Sequence, residues 1–136
     1  MSESIEHMNL VKDIVEYVKE KLPECVHGLI EIDDCIAQKP PKINGFIPDV
    51  YFNWKEHLII GEAKTLADFE RKHSREQFMT YLEACRLFPG TAMLIVAVPW
   101  PLKMTAKNYF RRVKQKFDGE IVILTDTLGS VEVWEI

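Results

Sequence analysis

Two acids and a lysine stand out for their spacing. Asp49 follows Pro48, and Glu62-Ala63-Lys64 begins thirteen positions after Asp49. Residues 46–54 and 58–64 read as two strands joined by a short turn around Lys55 and Glu56. In an antiparallel pair, directly opposed residues share one face of the sheet. If Asp49 lies opposite Glu62, then Trp54 lies opposite His57. A register slip of two keeps both acids on one face, while a slip of one separates them. Lys64 is two residues beyond Glu62 and points the same way. The hairpin therefore gathers two carboxylates and one ammonium, a group that is costly to bury without a reason. Two carboxylates a few ångströms apart repel, and a divalent cation relieves the repulsion. Oxygen ligands of this kind suit Mg²⁺ or Mn²⁺. Such an ion makes water a better nucleophile near neutral pH, and a neighbouring lysine stabilises the developing negative charge. The plainer alternative is a surface hairpin carrying a Glu62–Lys64 ion pair.

Pro48-Asp49 followed by Glu62-Ala63-Lys64 resembles the PD-(D/E)XK signature of the restriction-endonuclease-like nucleases. The resemblance implies that Asp49 and Glu62 bind the metal with the carbonyl of Ala63, and that Lys64 assists the nucleophile. Further on, Gln77-Phe78-Met79-Thr80-Tyr81 resembles the QxxxY motif that follows the catalytic lysine in RecB-type exonucleases. A spacing of four puts Gln77 and Tyr81 on one helical stripe. Two readings stand for each. Ser74-Arg75-Glu76-Gln77 is also a capping box, in which Gln77 serves the helix start. Tyr81 sits among Phe78, Leu82 and Cys85 and also reads as plain core. Some RecB-type relatives carry iron–sulfur cysteines, which are missing here. The family often adds an acid from the first helix. Glu16 and Glu20 point away from that helix's apolar stripe, Glu3 and His7 lie near its edge, and Glu6 is less well placed. Glu3 or Glu6 is the expected acid, with simple helix N-terminal charge as the alternative.

The elements that must position these residues follow from periodicity. Residues 4–22 read as a helix, with Val11, Ile14, Val15, Val18 and Leu22 at helical spacing and Pro23 after its end. Residues 26–32 read weakly as a strand, and 38–45 as a loop rich in Pro and Lys. After the hairpin come a helix over 74–88, a buried strand over 93–98, a helix over 105–117 and a strand over 121–124. Residues 131–134 add an edge strand after the turn at Leu128, Gly129 and Ser130. The order α-β-β-β-α-β-α-β predicts a mixed sheet with helices on both faces. It agrees with the αβββαβ core that the resemblance implies.

The 136 residues have the size of one domain, so 1–136 is read as a single nuclease domain with no separate recognition lobe. Residues 1–6 are acidic rather than basic and do not read as a signal peptide. No apolar run approaches the roughly 20 residues that span a bilayer, so a cytoplasmic protein with no membrane association is expected. Cys25, Cys35 and Cys85 form no CxxC pair and are expected as three reduced thiols. The net charge of −4 is not that of a strong nucleic-acid binder. Positive charge is nevertheless concentrated. Lys103, Lys107, Arg111, Arg112, Lys114 and Lys116 fall in one stretch without an acid, and Arg71, Lys72 and Arg75 in another. Lys107, Arg111, Arg112 and Lys114 are expected to contact a phosphate backbone, against the alternative of a solvated helix surface. The function these features imply is Mg²⁺- or Mn²⁺-dependent hydrolysis of DNA, in preference to RNA, by a homodimer or a subunit of a larger complex. The competing readings are an inactive nucleic-acid- or protein-binding module of the same fold, and an unrelated α/β interaction domain.

Overall fold

The computed structural model describes residues 4–33, 39–69, 71–115, 119–127 and 130–136. Glu3, Cys35, Gln38, Lys116, Phe117, Leu128 and Gly129 lie outside the described residues. Helix α1 (Ile5–Lys21) starts at Ser4, whose side chain accepts from the His7 N–H at 3.1 Å. It buries Leu10, Val11, Ile14, Tyr17 and Val18. The chain then departs from expectation. Pro23 opens a 3-10 turn (Glu24–Leu29), so only Glu31–Ile32 remains as strand β1. Val26 is buried in that turn rather than in a strand. Proline presets the turn's entry, and Gly28 weakens any strand that would cross it.

The expected strand over 46–54 is also shorter. Asn44 and Gly45 both have positive φ, and Ile43 and Phe46 bridge across them as a two-residue turn. Phe46 is spent in that turn, and Pro48 has no N–H to give a ladder. Strand β2 therefore begins at Val50 (Val50–Trp54). It pairs antiparallel with β3 (His57–Ala63) in the expected register, Trp54 opposite His57 and Val50 opposite Gly61. Lys55 makes the turn with φ 54°, its ammonium 4.3 Å from the centre of the Trp54 ring.

Helix α2 (Lys72–Leu87), strand β4 (Thr91–Pro99), helix α3 (Lys103–Lys114), strand β5 (Glu120–Thr127) and strand β6 (Ser130–Glu135) complete the fold. The six strands form one mixed open sheet in the order β1-β2-β3-β4-β5-β6. β3, β4 and β5 are parallel, and β1, β2 and β6 join antiparallel. The parallel centre is buried on both faces, which accounts for its continuous apolar runs. α1 covers one face, packing Ile14 and Val18 against Val50, Phe52, Ile95 and Leu124. α2 and α3 cover the other, packing Phe78, Leu82 and Phe110 against Ile60, Leu94 and Ile123. Among the described residues, no helix is long and apolar enough to cross a membrane.

Candidate metal centre

The chemistry-bearing residues meet at the C-terminal end of β3. Asp49 stands one residue ahead of the β2 ladder, and the same register carried one step further sets it opposite Glu62. The Asp49 Oδ2 accepts from the Ala63 N–H at 2.9 Å, which fixes the carboxyl against the neighbouring strand. Lys64 leaves β3 with its N–H on the Ala97 carbonyl, so β4 holds the strand end in place. Asp49, Glu62 and Lys64 are 6%, 3% and 8% exposed, which excludes the surface-hairpin alternative.

α2 supplies the second half of the site. The capping-box reading fails. The helix begins at Lys72, so Ser74 is inside it, and the Ser74 hydroxyl donates to the Asp68 carbonyl instead. That frees Gln77 for the site. Its Oε1 accepts from the Lys64 ammonium at 2.5 Å, and its Nε2 donates to Glu62 Oε1 and to the Tyr81 hydroxyl, each at 3.3 Å. The Tyr81 hydroxyl donates to Glu62 Oε1 at 3.0 Å. The plain-core reading of Tyr81 is therefore incomplete: the ring is buried among apolar residues, and the hydroxyl is tied to the acid.

The first helix contributes a residue other than the expected acid. Glu6 is exposed, and Glu3 is outside the described residues. His7 instead reaches the site, with Nε2 3.2 Å from Asp49 Oδ2. His7, Asp49 and Glu62 each offer one ligand atom, all within 4.8 Å of one another. The signal was present in the sequence. His7 lies three and four residues before Leu10 and Val11 and so continues the buried stripe towards the N-terminus.

Electrostatics divides the two acids. Burial pushes the Asp49 carboxyl up, but hydrogen bonds from His7, Glu62 and the Ala63 N–H outweigh it and hold the pKa below the ordinary value. Glu62 goes the other way. Burial, then the Asp49 charge and hydrogen bond, raise it well above the ordinary range, against Lys64 and Tyr81. Unit charges at most 4.8 Å apart repel by about 3–4 kcal/mol or more at an effective dielectric of about 20. The Lys64 ammonium, 3.9 Å from Glu62 Oε2, returns a similar amount, so burial decides for the proton. Without a cation, burial beside Asp49 favours the neutral form of Glu62.

The basic stretch divides likewise. Arg111 and Arg112 are exposed on α3. Lys107 and Lys114 face β6. The Lys107 ammonium lies 3.8 Å from the centre of the Trp134 ring and Lys114 donates to the Ile136 carbonyl. Lys103 stands over the same ring at 4.1 Å and pairs with Glu132. Lys107 and Lys114, both expected to contact a phosphate backbone, are thus turned towards Trp134 of β6 and towards the Ile136 carbonyl just after it. Cys25 and Cys85 are free thiols, as expected.

Compared with protein-family models, with curated proteins and with solved structures, the chain matches none.

Proposed function

We propose that this chain is a divalent-metal-dependent nuclease with a restriction-endonuclease-like core, hydrolysing phosphodiester bonds in DNA rather than RNA. One observation carries the reading: His7, Asp49 and Glu62 converge in a buried corner beside the Lys64 ammonium. A buried acid pair that must otherwise retain a proton is a donor set suited to a divalent cation. Two carboxylates fit Mg²⁺ or Mn²⁺, and the imidazole shifts preference towards Mn²⁺. The PD-(D/E)XK resemblance adds the Ala63 carbonyl to this set.

A bound cation there supplies Lewis acidity towards water and towards a phosphate oxygen. The chain's own residues do the positioning. Lys64 holds an ammonium where negative charge would develop on the phosphate oxygens. Gln77 grips Lys64 through one atom and Glu62 through the other, so α2 is tied to the end of β3. Tyr81 donates to Glu62 Oε1, which leaves Oε2 on the Lys64 side. His7 ties α1 to the same corner. Substrate choice falls to loops, nucleic-acid shape, a second copy of the chain or a partner subunit. A homodimer is the simplest of these assemblies.

The test is cleavage of DNA by Asp49→Asn and Glu62→Gln in Mg²⁺ or Mn²⁺, with folding followed by circular dichroism. Both variants should fold and neither should cut, because each loses a charged oxygen ligand. Wild-type cleavage by either variant would remove the metal centre from the mechanism. An intact wild-type protein that binds DNA and never cuts it would leave the inactive-module reading.

A further inference from the structure

A second polar site lies on the far side of α2. A small cavity of about 90 Å³ opens between the N-terminal half of α2 and the length of α3, lined by Phe69, Arg75, Phe78, Thr105, Tyr109 and Arg112. Every polar side chain in that lining can donate a hydrogen bond, and none is an acid. Arg75 and Arg112 are exposed, and among the described residues neither forms an ion pair with an acid. Both guanidiniums act on the Tyr109 hydroxyl: burial raises its pKa, and the two arginines oppose the rise without cancelling it. Tyr109 therefore stays protonated and able to donate. Its ring is fixed edge-on to Phe69 and Phe110, so the hydroxyl is held rather than swinging free. Neither helix has an acid in its first turn.

We propose that this cavity seats a backbone phosphate of the nucleic-acid strand, with Arg75 and Arg112 as the two guanidinium clamps and Tyr109 and Thr105 as neutral donors. The inference rests on the nuclease reading for the identity of the strand. Guanidiniums from two different helices converging on one concave, acid-free spot give the fork geometry that phosphate oxygens favour. Position fits as well. Arg75 is two residues before Gln77, so it lies roughly 200° around α2 from the residue that grips Lys64. The strand would pass over the start of α2 from one site to the other. A helix about 10–12 Å across separates them. Arg112, expected from sequence as one of four equivalent cations along α3, becomes one half of a defined seat.

The experiment measures binding of a labelled single-stranded DNA of mixed sequence, without added divalent ion, across a series of salt concentrations. Arg75→Gln, Arg112→Gln and the double variant are compared with wild type, and Arg86→Gln serves as control because it pairs with Glu83 at the other end of α2. Cleavage of the same DNA in Mn²⁺ is followed in parallel. Each single variant should flatten the plot of log affinity against log salt by about 0.7, and the double variant by about 1.4, as one or two phosphate contacts are lost. Arg86→Gln should keep the wild-type slope. Unchanged slopes in both arginine variants of a protein that binds and cuts would overturn the seat and leave the nuclease reading standing. Flattened slopes in a protein that never cuts would support the seat and remove the nuclease reading. A wild-type protein that does not bind DNA would overturn both.

Discussion

Asp49 and Glu62 occupy one buried corner and titrate in opposite directions. Asp49, lowered in the folded state, contributes stability above its unfolded value of 3.8, lost as pH falls through the folded one. Glu62, raised in the folded state, contributes stability below about 4.5, and this is lost as pH rises from there towards its folded value. Metal-free stability should thus decline as pH climbs above about 4.5. Glu62→Gln, which keeps the hydrogen bonds without the charge, should raise the metal-free Tm at pH 7 by a few degrees, roughly 1 kcal/mol for a chain of this size. Mn²⁺ favours the ionised acid, so the Tm gain on adding Mn²⁺ should be larger at pH 8 than at pH 6. Calorimetry of both proteins across pH checks this; a Glu62→Gln variant no more stable than wild type would place the Glu62 proton elsewhere. At this scale the sequence was informative wherever period two governs. Glu62 and Lys64 share a face by counting alone, and Asp49 joins them in the register that sets Trp54 opposite His57. Gln77 stayed ambiguous because its alternative, a helix cap, depends on a helix start that sequence places only within a few residues.

Among the elements, α1 depends on one close approach. A Cβ on Gly61 would meet Ile14 Cγ2 at 2.7 Å and Val50 Cβ at 3.1 Å, so β3 must be bare where α1 crosses it. Gly61→Ala should cost about 1–3 kcal/mol through overpacking. It should also weaken Mn²⁺ binding, because shifting α1 shifts His7. Ile14→Ala should be less damaging in the Gly61→Ala background than in wild type, a coupling that urea denaturation of the four proteins measures. On the other face, Lys107 lies over Trp134 rather than in solvent. Lys107→Gln should lower stability modestly, through loss of the cation–ring contact, and leave the salt dependence of DNA binding unchanged, the reverse of Arg112→Gln. The helices and central strands were legible because their apolar periods are strong. Which cations of α3 meet solvent was not, since that depends on β6, an edge strand whose Trp134 gives no sequence signal of the face it offers. β1 was misread for a related reason: Val26 fits a strand or a buried turn equally well, and Pro23 with Gly28 decides for the turn.

For the whole molecule, α1 and α2 lie on opposite faces of the sheet and both deliver residues to the end of β3. The chain carries a net charge of −4, so the DNA binding proposed for it would draw on local positive charge such as Arg75 and Arg112, and it should fade as salt is raised. Lys64 separates a catalytic site from a mere cation site. In the proposed nuclease its ammonium opposes cation binding slightly and stabilises charge that exists only in the transition state. The decisive measurement is therefore made on wild type and Lys64→Ala together: Mn²⁺ affinity by calorimetry, and the rate of cutting of linear, circular, single-stranded and branched DNA in Mn²⁺. Wild type should cut at least one of these DNAs. Lys64→Ala should bind Mn²⁺ as tightly as wild type or more tightly, and cut on the order of a hundredfold more slowly or worse. Cutting at the wild-type rate by Lys64→Ala, or no cutting of any of these DNAs by the wild-type protein, would contradict a nuclease built on Asp49, Glu62 and Lys64.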